Sequence, residues 1–199
     1  FTRQNEGHMG KWEYGSSLYA GDPAGGADLW AKMVSRPSDY YVTQADIKLV
    51  KWAVRQDALI SSLGDIKTIM EFGPGSESIV LQKTLPLLRS SPDLSSYIAL
   101  DISRNFADKT AVLVARNLAV KAKGIAHDFS KPFSRRSKGN TAFVVLGSTI
   151  SNLECKGGEN PFHALSGFFK NLRQGMVEQD ILLTTFDTSL DAEKVLRAY

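Results

Sequence analysis

Cysteine is almost absent from this chain: Cys155 stands alone among 199 residues. A single thiol excludes an internal disulfide, so a reducing compartment, the cytoplasm, is the expectation. Cys155 and the three histidines, His8, His127 and His163, show no metal-ligand spacing, and no metal site is expected. No apolar run approaches the roughly 18 residues of a membrane span, and the opening FTRQNEGHMG has no apolar signal-peptide core. Strong charge is missing too. A net charge of +3 is too small to argue for nucleic acid, and the densest basic stretch, KPFSRRSKGN (131–140), reads as a solvated loop. Internal repeats and low-complexity tracts are lacking.

What is present is ordinary globular material, 43% apolar and 23% charged. The first forty residues, rich in Gly, Ser, Asp and aromatics, read as loops with short helical pieces. A helix is then expected. Thr43 with Asp46 has the spacing of a capping box, Ile47, Val50 and Val54 mark one face, and Gly64 supplies a stop. Beyond it, β-like runs at 67–72, 97–102, 124–129, 141–147 and 180–187 alternate with helical stretches at 77–89, 104–122 and 160–174. The first of these helices is expected to bend or end near Pro86. The last has Asn160 as N-cap, Pro161 in its first turn, Phe162, Leu165, Phe169 and Leu172 on one side, and Gly175 to close it. Alternating elements with continuous apolar strands predict an α/β fold: a mostly parallel, doubly wound, Rossmann-like sheet. The chain divides into an N-terminal helical and loop segment at 1–64 and the sheet domain at 65–199.

In such sheets ligands bind beyond the carboxyl ends of the strands, which directs attention to EFGPGSES (71–78). A dinucleotide fingerprint needs a third glycine where Ser78 stands, and Glu77 in the first helical turn would repel a pyrophosphate. No Gly-Lys-Ser/Thr follows, so the turn is not a P-loop. A nicotinamide-dependent dehydrogenase is thereby disfavoured. S-adenosyl-L-methionine (SAM) carries no phosphate and asks less of the turn. Gly73 and Gly75 let the backbone approach it, Asp101 after the second strand can accept from both ribose hydroxyls, and Asp128 with Phe129 after the third can take the adenine. Glu71 is placed to reach the methionine ammonium, directly or through water. Singly, each has a plain reading as a tight turn, a helix cap or a turn opener. Three in register on successive strands form a SAM-like constellation.

The blocks YGSSLY, RPSDYYVTQADI, EFGPGSES, ALDIS, HDF and LGSTISNL, in that order, resemble the SAM-dependent amino-acid Nα-methyltransferases, whose best-known member trimethylates histidine. The resemblance runs from about Tyr14 to the final LRAY. It implies a Rossmann-like methyltransferase fold, SAM as cofactor with S-adenosyl-L-homocysteine as product, and an α-amino acid such as histidine, or a related small amine, as substrate. It implies substrate contacts at Asn152 and Tyr40 and cofactor contacts at Gly73, Asp101, Asp128 and Phe129. Departures exist. Ile79 stands where the family has a lysine, and a substrate-side tyrosine of the family falls near Lys11, with Trp12 and Tyr14 close by. The family's C-terminal portion, with the last strands of the sheet, has no counterpart here.

Methyl transfer to an amine is an in-line displacement, so the protein's task is positioning and exclusion of water. The Asn152 carbonyl can accept from a neutral amine while its amide donates to a carboxylate, and Tyr40 can pack on the substrate. No residue stands out as a general base. Read from the residues alone, Asn152 has an alternative as a cap of the turn after the fourth strand, and Tyr40 and Tyr41 as core and interface aromatics. His127 reads as packed and His163 as a surface residue. Two functions follow: an N-methyltransferase of amino acids or small amines, or a SAM-binding module without catalysis of its own within a larger protein.

Overall fold

The computed structural model describes residues 41–129, 131–132, 139–147, 149–152, 161–191 and 193. Its centre is a five-stranded sheet in the order β3-β2-β1-β4-β5, every pairing parallel. The strands are β1 (Thr68–Phe72), β2 (Ser96–Asp101), β3 (Lys121–Ala126), β4 (Thr141–Val145) and β5 (Ile181–Thr184). Among the described residues the sheet is wound from β1 outward to β3, then back to β4 and on to β5. The switch point therefore lies between β1 and β4, the place where ligands of such sheets bind. This is the expected Rossmann-like α/β architecture.

Period-two alternation sends successive side chains to opposite faces. Ile69, Tyr97, Ala99, Ala142 and Val144 lie in one buried cluster, and Met70, Phe72, Ile98, Leu100, Phe143 and Val145 in the other. The first cluster is covered by α1 (Tyr41–Ala53), α2 (Asp57–Leu63), α3 (residues 77–89) and α4 (Arg104–Asn117), through Val50, Leu63, Val80, Leu85, Leu88 and Val114. The second is covered by α5 (Pro161–Gly175), through Phe168 and Leu172. Both faces of β1 and β4 are buried along their whole length, which is why these strands read as unbroken apolar runs.

Several expectations need correction. α1 already includes Tyr41, so Thr43 is not an N-cap; Thr43 and Asp46 are buried inside the helix. The single helix running to Gly64 is two, with Asp57 in the first turn of α2 favouring a fresh N-terminus there. α3 does not end at Pro86. It carries one π turn over Val80–Thr84, in which the Leu85 N–H bonds the Val80 carbonyl five residues back, and then continues through Leu85–Arg89. The widened turn comes just before the residue that lacks a donor, and it turns Lys83 and Thr84 inward. β3 starts three residues earlier than read, because Lys121 and Lys123 lie exposed on an edge strand and mask its pattern. On α5, Phe162 is 73% exposed, and Phe168 takes its place on the buried face. Asn160 lies outside the described residues.

Gly124 is required by packing. A Cβ there would meet the Ala107 carbonyl carbon at 2.5 Å, so the glycine lets α4 lie directly on β3. Among the described residues no helix is long and apolar enough to cross a membrane.

Candidate cofactor and substrate site

The turn after β1 depends on its glycines. Gly73 has φ 65° and Gly75 φ 82°, the left-handed region that side chains rarely enter. The Gly73 N–H donates to the Leu100 carbonyl at 2.8 Å, anchoring the turn to β2. A Cβ on Gly73 would lie 2.9 Å from Thr149 Cγ2, so the turn and the loop after β4 touch across the switch point. That loop starts at Gly147 (φ 67°) and closes into a 3-10 turn over Thr149–Asn152. Thr149 Oγ1 donates to the Leu146 carbonyl at 2.7 Å.

Asp101 closes β2, with its carboxylate almost wholly buried. Oδ1 accepts the Ser103 N–H at 2.9 Å, and Ser103 in turn caps α4 by accepting from Phe106. Burial pushes the Asp101 carboxyl up to about 7; the Ser103 bond pulls the other way, and the charge of Glu71 adds to the rise. Among the described residues nothing donates to Oδ2. The Asp101 carbonyl accepts the His127 N–H at 2.9 Å, which fixes the end of β3 against β2 one residue before Asp128. Asp128 pairs with Lys131 at 3.4 Å on the surface. Phe129 meets Phe72 edge-on, ring centroids 5.5 Å apart.

Glu71 is buried under the turn, on the face covered by α3. Thr84 donates to Oε1 at 3.0 Å and Tyr97 to Oε2 at 2.7 Å. Burial raises its pKa, against the pull of Lys83 and the two hydroxyls. Burial likewise raises Tyr97 well above its ordinary value, helped by the adjacent Glu71 charge.

A second buried group was not anticipated. Asp46 of α1 sits among α3, β4 and β5. Its Oδ1 accepts the Thr185 hydroxyl at 2.6 Å, and the Thr185 oxygen accepts the Gly147 N–H at 3.0 Å. Lys83 Nζ stands 3.3 Å from Asp46 Oδ2, both side chains 5% exposed. The contact is one of charge, without hydrogen-bond alignment, and Oδ2 accepts no hydrogen bond among the described residues. The sequence held one unused sign, a lysine inside the mostly apolar stretch VLQKTLPLL.

Gly73, Gly75, Asp101, Asp128 and Phe129 thus line the carboxyl ends of three adjacent strands. Glu71 lies beneath them. Asn152 ends the loop after β4, and Tyr40 lies outside the described residues, as do His8 and Cys155. His163 is exposed, and His127 follows β3 rather than lying in it. The donor set fits the adenosine half of SAM: an acceptor oxygen at Asp101 for ribose hydroxyls, a backbone turn that a Cβ would fill, and an aromatic beside an acid for the base.

Sequence comparison with curated proteins finds no match. Among solved structures, magnesium protoporphyrin IX methyltransferase from Synechocystis PCC 6803, determined with bound SAM, aligns over 79% of this chain and 68% of its own, at 16% identity and a TM-score of 0.44. Residues 17–199 match the family model of the histidine-specific, SAM-dependent methyltransferases, and the chain belongs to that family.

Proposed function

We propose that this protein methylates the α-amino group of an amino acid, histidine first among the candidates, or of a related small amine, and that it works in the cytoplasm. One observation carries the reading: the left-handed glycine turn, Asp101 and the Asp128-Phe129 pair occupy the ends of three adjacent parallel strands at a switch point that also receives the loop ending in Asn152. SAM is the family's cofactor, and when bound it supplies a methyl group on a sulfonium.

In this reading Asp101 Oδ2 accepts from the ribose, Asp128 accepts from the adenine amino group, and Phe129 packs beside the base. Gly73 and Gly75 let the backbone of the turn come close to the ribose and methionine portion. Glu71 has a hydroxyl on each oxygen, so we assign it to the cofactor's ammonium through a bridging water. Asn152 aims the lone pair of a neutral substrate amine and holds its carboxylate, with Tyr40 against the substrate. Water takes the proton. The segment 1–64 supplies the acceptor side and 65–199 the cofactor side.

Calorimetric titration with SAM and S-adenosyl-L-homocysteine, with NAD as control, should show saturable binding of the first two only. Asp101→Ala should abolish it. Asn152→Ala should retain it and raise the KM for histidine or lower turnover by at least about tenfold. Unchanged kinetics in Asn152→Ala would sink the substrate assignment.

A further inference from the structure

The loop that ends in Asn152 is held at two points, and one of them reaches back to α1. Gly147 is tied by its N–H to Thr185 Oγ1 at 3.0 Å, and the Thr185 hydroxyl donates to Asp46 Oδ1 at 2.6 Å. The Thr185 N–H bonds the Val145 carbonyl at 3.2 Å, so the hydroxyl is presented by sheet pairing and not by a free loop. Two residues on from Gly147, the Thr149 side chain sits against Gly73 of the cofactor turn. A second clasp lies at the start of α1, where the Tyr41 hydroxyl donates to Asp187 beyond β5. Tyr40, the candidate substrate residue, immediately precedes it.

Burying Asp46 against Lys83 is a poor way to gain stability, since desolvation of the two charges offsets most of their attraction. Such groups find their best-attested use in setting register. Here the register set is that of α1 against the loops after β4 and β5.

Building on the proposed acceptor site, we infer that Asp46 and Thr185 are positioning residues that hold the 147–152 loop in line with both the acceptor side at α1 and the glycine turn. Lys83 stands 3.3 Å from Oδ2, the carboxylate oxygen that Thr185 leaves free. Neither Asp46 nor Thr185 needs to touch the substrate for this.

The test uses Thr185→Val, which keeps the branched shape and removes the hydroxyl, with Thr185→Ser as the conservative rescue. Asp46→Asn, which keeps an acceptor for Thr185 but loses the charge, is the second variant should Thr185→Val fail to fold. Hydrogen exchange of the 141–152 segment is read without ligand, alongside SAM affinity and the KM for histidine. Faster exchange in Thr185→Val, a histidine KM raised about tenfold, the ratio for one lost charge-assisted bond, and a SAM affinity within about twofold of the parent are expected. Thr185→Ser should restore the exchange rate and the KM, and Asp46→Asn should fall between. A lower melting temperature with unchanged exchange and unchanged KM would reduce Thr185 to a structural role and overturn the inference. Equal losses in SAM and histidine binding would overturn it as well. If the parent binds SAM but does not methylate histidine, the acceptor reading fails by itself. The exchange of 141–152 then decides the positioning role: acceleration supports it and no change refutes it.

Discussion

Lowering the pH through neutrality should loosen the grip on SAM, because the carboxylate assigned to the ribose is buried. Burial raises Asp101 to about 7, so roughly a tenth of it is ionised at pH 6 and roughly nine tenths at pH 8. Two ribose hydroxyls donate best to the ionised form. The Kd for SAM should therefore fall about tenfold between pH 6 and pH 8, with half of the carboxyl ionised near pH 7. Stability of the free protein runs the other way. A carboxyl whose folded pKa lies above its unfolded value contributes stability that is fully present below about 3.8 and lost as pH rises through about 7. The loss is on the order of 4 kcal/mol, and ligand binding should recover part of it. Calorimetry from pH 6 to pH 8, paired with thermal melts, reads both slopes. Asp101→Asn serves as control, since it removes this titration and leaves that of the ligand. A Kd that is flat across the range, or that falls equally in Asp101→Asn, would refute the assignment of Asp101 to the ribose.

Gly73→Ala should weaken SAM binding at least about tenfold, since a side chain at φ 65° costs roughly 1–2 kcal/mol and its Cβ strikes Thr149; adding Thr149→Ser should recover part of the loss in the same titration. Gly124→Ala forces β3 and α4 apart and should lower the melting temperature by roughly 3–10 °C, following a cost of about 1–3 kcal/mol. Lys83→Met leaves Asp46 buried without its counter-charge and should cost about 3–5 kcal/mol in chemical denaturation, while the Lys83→Met/Asp46→Leu double variant should cost clearly less. Tyr97→Phe removes one of the two hydroxyls on Glu71 and should cost about 1–3 kcal/mol by the same assay.

The parts of the fold legible in the sequence were those whose burial is uniform. β1 and β4, covered on both faces, read as unbroken apolar runs and were found within two residues of their ends. β3 was misplaced by three residues because an edge strand exposes Lys121 and Lys123. Helix boundaries failed where tertiary contacts overrode local signals. Thr43 and Asp46 have capping-box spacing, yet Asp46 turns inward to Thr185, far away in sequence. The residues at the strand ends were legible because a doubly wound sheet dictates where to look. The Asp46, Lys83 and Thr185 junction was not, since its members come from three separate stretches that only the winding order brings together. The π turn that swings Lys83 and Thr84 inward leaves no periodic trace in thirteen residues of helix.

Mass spectrometry of the acceptor tests the proposed methyl transfer to an amino acid's α-amine. The protein is incubated with SAM and L-histidine, and separately with Nα-blocked histidine and with an amino acid ester as an amine lacking its carboxylate. Mass increments of whole methyl groups are expected on histidine, with one S-adenosyl-L-homocysteine released per methyl transferred, and none on the Nα-blocked compound. Methylation of the blocked compound would move the chemistry to the imidazole, and SAM binding without methyl uptake by any of these amines would contradict the proposed activity.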